Sequence, residues 1–205
     1  MMPGGALRRF ARRATEASLA AAEHCDLCSE VVPEHHRHLL QADRQVACVC
    51  QACSLLFSQP AASLGKYRLI PDRYLYLADF AMSDAEWDSL RVPVGICFVT
   101  GARAFYPGPM GPTEAVVDPS TWEALAARYA VLGGIEPDLE AFLVNRARGA
   151  RDHFIVPIDT CFSLVGLIRM RWRGLSGGNE VWADIGRFFE SLRQRSRIQR
   201  TEANA

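Results

Sequence analysis

Residues 25–57 read CDLCSEVVPEHHRHLLQADRQVACVCQACSLLF and hold five of the chain's seven cysteines and three of its five histidines. Cys25-x-x-Cys28 and Cys50-x-x-Cys53 are separated by 21 residues. Each pair at this spacing forms a tight knuckle with both sulfurs facing one point. Two knuckles complete a tetrahedral four-thiolate set, which zinc accepts without geometric penalty. The intervening residues suit a β-hairpin, with strands expected at Val31-Val32-Pro33 and Val46-Ala47, and SLLFS after Cys53 reads as the start of a helix. Knuckles, hairpin and helix together describe a treble-clef or ribbon-like zinc module. A segment this short buries too little apolar surface to fold unaided, so metal–ligand bonds would supply its stability, as in most closed four-cysteine sites.

Three further residues in the stretch are candidate ligands. Cys48 precedes Cys50 by two positions, as a substitute ligand or a buried thiol. His36 and His38 project from the same face if they lie on a strand. With His35 they could form a second, labile site for nickel, copper or iron. The plainer reading is a polar hairpin surface, with one histidine supporting a zinc ligand from outside. Iron is the alternative ion for the four cysteines, as in rubredoxin. There glycine typically follows each Cys-x-x-Cys, whereas Ser29 and Ser54 follow here, so zinc is expected.

The surrounding chain has 205 residues, 49% of them apolar, and a formal net charge of zero. That is enough for one medium domain plus a small appendage. Neutrality argues against nucleic-acid binding, which needs a basic surplus. Lys66 is the only lysine; the arginine bias is read as compositional. No apolar run approaches the roughly 18 residues of a membrane span. Arg8-Arg9 and Arg12-Arg13 are followed by ATEASLAAAE rather than an apolar segment, so no signal peptide is read and a cytoplasmic location is expected.

Five segments are expected: a basic arm at 1–22, a zinc module at 23–58, a linker at 59–65 within SQPAASLG, a mixed α+β domain at 66–195, and a frayed polar tail at 196–205. In the large domain a strand is expected near residues 67–70. Ser83 and Glu86 form a capping box. VGICFVT and RAFYPG make a hairpin turning at Thr100-Gly101-Ala102, and TEAVVD is a third strand. Asp118 and Pro119 open a helix that Gly133 ends. EAFLVNR and HFIVPI are apolar strands. DTCFSLVGLIRMRWRG fits helix or strand, and the cap signals favour a helix with Asp159 at its start. Val181, Trp182, Ile185, Phe188, Phe189 and Leu192 stripe one face of a final helix. Strands with interspersed capped helices, lacking regular βαβ alternation, give class α+β.

No constellation in the large domain names a reaction. Cys161 with His153 and Asp159 superficially suggests a nucleophile, but Cys161 sits on an apolar stripe and reads as a core thiol, as does Cys97. RGLSGG, residues 173–178, lacks both the Walker lysine and the dinucleotide fingerprint. Asn145, Arg146, Arg148 and Arg151 form a polar loop able to meet an anion or a partner carboxylate.

The segments CDLCSEVVPEHHRHLL, CVCQACSLLF, YRLIPDR, LVNRARGARDHFIVPID and LVGLIRMRWRGLSGGNEVWADIGRFF together resemble an uncharacterised bacterial family associated with gene clusters for actinobacterial-type, high-affinity nickel–iron hydrogenases. The resemblance runs from about Leu7 to Leu192. It implies Cys25, Cys28, Cys50 and Cys53 as the family's cysteine pairs, with Cys48, His36 and His38 matching its pattern. It carries no activity. It implies an accessory role, with a hydrogenase subunit or maturation factor as partner. A metal-handling or redox protein and a zinc-containing nucleic-acid-binding regulator are the alternatives.

Overall fold

The computed structural model describes residues 23–174 and 177–201. The expected N-terminal arm lies outside them, as do Leu175 and Ser176 of RGLSGG. The chain divides into two compact units, meeting in sequence between Leu69 and Ile70.

In the first unit the described strands form a three-stranded antiparallel sheet, ordered β2-β1-β3: β1 is Arg37–Gln41, β2 Val46–Val49 and β3 Tyr67–Leu69. Helix α1, Gln51–Phe57, follows β2, and α2, Pro60–Ser63, follows α1. The expected boundaries shift here. The segment read as a linker contains α2, and the strand assigned to the large domain closes the small sheet, pairing Leu39 with Leu69. The reason is burial: Tyr67 and Leu69 pack on the apolar cluster of Cys25, Val32, Leu39, Ala47, Val49 and Cys53. The second hairpin strand falls at Val46-Ala47 as expected, but the first is displaced. Val31 makes only an isolated bridge with His24, while the ladder to β2 is formed by RHLLQ.

The second unit holds a seven-stranded sheet ordered β10-β4-β9-β8-β5-β6-β7, mixed α and β throughout. Its strands are β4 Leu75–Leu77, β5 Ile96–Thr100, β6 Arg103–Gly108, β7 Gly111–Glu114, β8 Glu140–Asn145, β9 Asp152–Pro157 and β10 Arg197–Gln199. All pairings are antiparallel except β10 with β4. Gly101 and Ala102, at φ 54° and 62°, make the two-residue turn between β5 and β6, a geometry that matches strand twist.

Every residue of β8 and β9 is buried, as expected of central strands covered on both faces. One face packs Cys97, Val99, Phe142, Val144 and Ile155 with Leu125, Tyr129 and Leu132. These last come from α4, Pro119–Arg128, the junction after it, and α5, Ala130–Gly133. The opposite face carries Phe154, stacked on Phe189 of the last helix, Gly178–Arg195. Helix α6, Ile158–Arg171, packs against β6 to β9 and α7, Gly178–Arg195. The ambiguous segment is thus a helix, though Pro157 rather than Asp159 precedes it. The capping box of α3, Asp84–Ser89, forms as expected, and Asp118 caps α4. Helix α4 stops at Arg128, short of Gly133, because Tyr129 turns extended to bury its ring. The third strand ends at Glu114, leaving Val116 exposed. The polar tail is ordered over 197–201: β10 pairs with β4, and the Thr201 amide and hydroxyl both donate to Asp79, each at 2.8 Å.

Candidate metal centres

The first knuckle begins where His24 bridges Val31. Within that bridge the Cys25 amide donates to Glu30 O at 2.7 Å and the Ser29 amide to Cys25 O at 2.8 Å. Ser29, at φ 62°, accepts the left-handed conformation that glycine would take more cheaply. The second knuckle is a helix start. Cys50 is the N-cap of α1, its sulfur accepting from the Cys53 amide at 3.5 Å. Asp26 joins the two: its amide donates to Cys48 O at 2.9 Å and its carboxylate accepts from the Cys48 amide at 2.7 Å.

The four sulfurs of Cys25, Cys28, Cys50 and Cys53 all lie within 4.8 Å of one another. Cys28 Sγ and Cys50 Sγ are 3.6 Å apart. A tetrahedron of sulfurs around zinc has an edge of about 3.8 Å, so the donor set fits. Cys25 and Cys53 are buried, Cys50 partly so, and Cys28 is exposed. Burial opposes ionisation of Cys25, but hydrogen bonds from the backbone of Cys50, Leu27 and Cys28 outweigh it and hold its pKa down to about 6. Burial pushes the Cys53 thiol up, and the neighbouring cysteines push it further. The cluster thus favours one thiolate unaided; a bound dication would stabilise all four. It can hold a metal ion.

Cys48 is not part of that cluster. Strand alternation sets it opposite in direction to Ala47 and Val49, which pack with Cys25 and Cys53. Instead, donor atoms of Cys48, His36 and His38 lie within 4.8 Å of one another. His38 pairs with Cys48 across the β1–β2 ladder, and the two imidazole centroids are 4.6 Å apart. His35 is exposed and outside the group. Glu23 and Pro33, which position His36, carry no sequence signal as site residues; only the folded turn brings them to it.

In the second unit Cys97 and Cys161 are fully buried, and burial pushes both thiols up, so they are core groups. His153 is enclosed by Phe80 and Phe142, with ring centroids 4.9 and 6.0 Å away. The arginine loop is anchored internally. Arg146, its side chain 5% exposed, bonds Asp84 and Ser83 O and lies over Trp87. Arg148 covers Trp182, and Arg193 bonds Asp152. The glycine-rich turn appears as Gly177 preceding α7 and the Trp172 indole donating to Gly174 O at 3.0 Å.

Among the described residues no helix is long and apolar enough to cross a membrane. No curated protein and no solved structure matches the chain. The model of a family of unknown function, DUF5947, matches residues 24–196, so both candidate centres and nearly all of the second unit fall within it, and the chain belongs to that family.

Proposed function

We propose that the protein is a zinc-stabilised accessory factor that acts through protein–protein contacts. The observation that carries this reading is the four-sulfur cluster, closed by protein ligands and built into the apolar core of a small unit. A closed tetrahedral site leaves no position for substrate, and its work is to hold a fold. The hairpin between the knuckles and the helix after the second support reading the module as treble-clef or ribbon-like. Leu55 and Leu56 on α1 and Leu64 after α2 are 64%, 57% and 83% exposed, which supports a contact role. The buried thiols and internally paired arginines of the second unit favour this reading over an enzymatic one. The resemblance described above makes a nickel–iron hydrogenase subunit or maturation factor the partner to test.

Metal analysis with a visible spectrum, on untagged protein purified without chelators, is the first test. One equivalent of colourless zinc is expected; thiolate-to-iron charge-transfer colour would replace this reading with a rubredoxin-like one. Affinity capture from cells making a hydrogenase should then recover a hydrogenase component. No such capture, together with normal hydrogenase activity in a deletion strain, would remove the partner assignment.

A further inference from the structure

The back of the β1–β2 hairpin carries a donor set that the four-sulfur cluster does not use. His36 Nδ1 lies 2.8 Å from Pro33 O, and 3.6 Å from a Glu23 carboxylate oxygen. A carbonyl can only accept, so Nδ1 carries the hydrogen. In the neutral ring, Nε2 then carries the lone pair. That Nε2 is buried without a hydrogen-bond partner, on a side chain only 5% exposed. A buried imidazole nitrogen with its lone pair unmatched is costly unless something accepts the pair. Beside it stand His38 and Cys48, with donor atoms of all three within 4.8 Å.

We infer that His36, His38 and Cys48 form a second metal site, for a borderline-soft divalent ion such as zinc, cobalt or nickel. Two imidazoles and one thiolate suit these ions and not magnesium or calcium, which require oxygen. The carbonyl and carboxylate behind His36 Nδ1 are the outer partners that orient a metal-bound imidazole. Asp26 fixes Cys48 through its backbone amide at 2.7 Å. Three protein ligands leave a fourth tetrahedral position open, unlike the closed four-sulfur site. This site can therefore exchange its ion or bind it jointly with a ligand from elsewhere. The inference goes beyond the accessory reading and does not depend on it.

The test is a cobalt(II) titration of the zinc-loaded full-length protein, following the thiolate-to-cobalt charge-transfer band and any zinc release. We expect one further equivalent to bind without releasing zinc. His36→Ala or His38→Ala should weaken it by more than the roughly 10- to 100-fold typical of losing an outer partner. Cys48→His should keep the binding and lose the charge-transfer band. Retained zinc and an unchanged circular dichroism spectrum identify variants whose fold survives. Failure of wild-type protein to bind a further equivalent, or equal binding by the folded histidine variants, overturns the site. If the four cysteines hold no zinc but cobalt still binds through His36, His38 and Cys48, the accessory reading fails while this one stands.

Discussion

His38 and Cys48 stand directly opposite each other across the β1–β2 ladder. That register places a thiol beside two imidazoles, while Cys50, two residues on, leaves the strand to cap α1 and joins the other cluster. Cys-x-Cys-x-x-Cys is therefore not one ligand run with a spare. Alternation along β2 separates Cys48 from its neighbours, so Cys48→Ser should leave the four-sulfur zinc at one equivalent, whereas Cys53→Ser should lose it. Zinc content after gel filtration distinguishes the two; equal loss in both would show that Cys48 serves the first cluster.

Chelation should unfold the first unit selectively. Its described buried apolar cluster contains only Cys25, Val32, Leu39, Ala47, Val49 and Cys53 in and around the sheet. Zinc bound to such modules contributes about 10–16 kcal/mol of apparent binding energy at neutral pH. The second unit has its own core on both faces of a seven-stranded sheet. Amide NMR after chelation should show collapse of the signals of residues 23–69 and persistence of those from β8 and β9. Loss of both sets together would contradict independent stabilisation.

The Arg73–Glu140 pair should matter more than a surface ion pair. Glu140 is 2% exposed. Arg73 Nε and Nη2 each reach its carboxylate at 2.6 Å, Nη2 also donates to Gly134 O at 2.9 Å, and the Glu136 amide adds a bond at 3.0 Å. Arg73→Ala would leave a buried carboxylate without its cation, at a cost of about 3–5 kcal/mol. Glu140→Gln, which keeps the shape and removes the charge, should recover part of that loss in the Arg73→Ala background. Urea denaturation of the single and double variants measures the coupling. Simple additivity would show that the pair contributes no more than solvent would.

How much of this was readable beforehand depends on the range of the interaction. The cysteine pairs, the capping box at Ser83, the N-cap at Asp118 and the Gly101-Ala102 turn are local chemistry, and all are present. The second donor set was visible only as residue types. Its assembly requires the β1–β2 register, and RHLLQ lacks the alternation that would have located β1. β3 reads locally as the opening of the next domain because its partner lies far back in sequence, Leu69 pairing with Leu39. β10 carries no local signal, because Arg197, Ile198 and Gln199 are held by β4 rather than by a pattern of their own. Arg73 with Glu140 spans 67 positions, beyond any local signal.

Gly95 should tolerate no side chain. A Cβ there would sit 2.7 Å from Ala147 Cα and 2.8 Å from Ala147 N, both backbone atoms that cannot rotate away. The close approach serves the hydrogen bond from the Arg146 amide to Gly95 O at 2.6 Å, which pins the loop carrying Arg146 to the start of β5. Gly95→Ala should destabilise by about 1–3 kcal/mol, the usual cost of overpacking, and should loosen Arg146 from Asp84. Thermal unfolding reads the first effect and amide exchange in the Ala147–Gly149 turn the second. An unaltered midpoint would mean that the loop moves aside without cost.

His153 should give the second unit an acid-sensitive component. Burial, then the nearby Arg146 guanidinium, holds its pKa down to about 4, with Asp152 opposing and Arg151 adding slightly. Neither ring nitrogen has a hydrogen-bond partner, and the side chain is enclosed by Phe80 and Phe142. The unfolded chain takes up a proton near the ordinary pH 6.5, whereas the folded chain resists until about pH 4. The stability this confers is therefore complete above about pH 6.5 and is lost as pH falls through that window, to a total of about 3 kcal/mol. His153→Leu removes both the titration and two unpaired buried nitrogens. The variant should match or exceed the wild type at pH 5 and lose less stability between pH 7 and 5. Urea midpoints at the two pH values decide it: parallel losses in wild type and variant would assign the acid sensitivity to other groups.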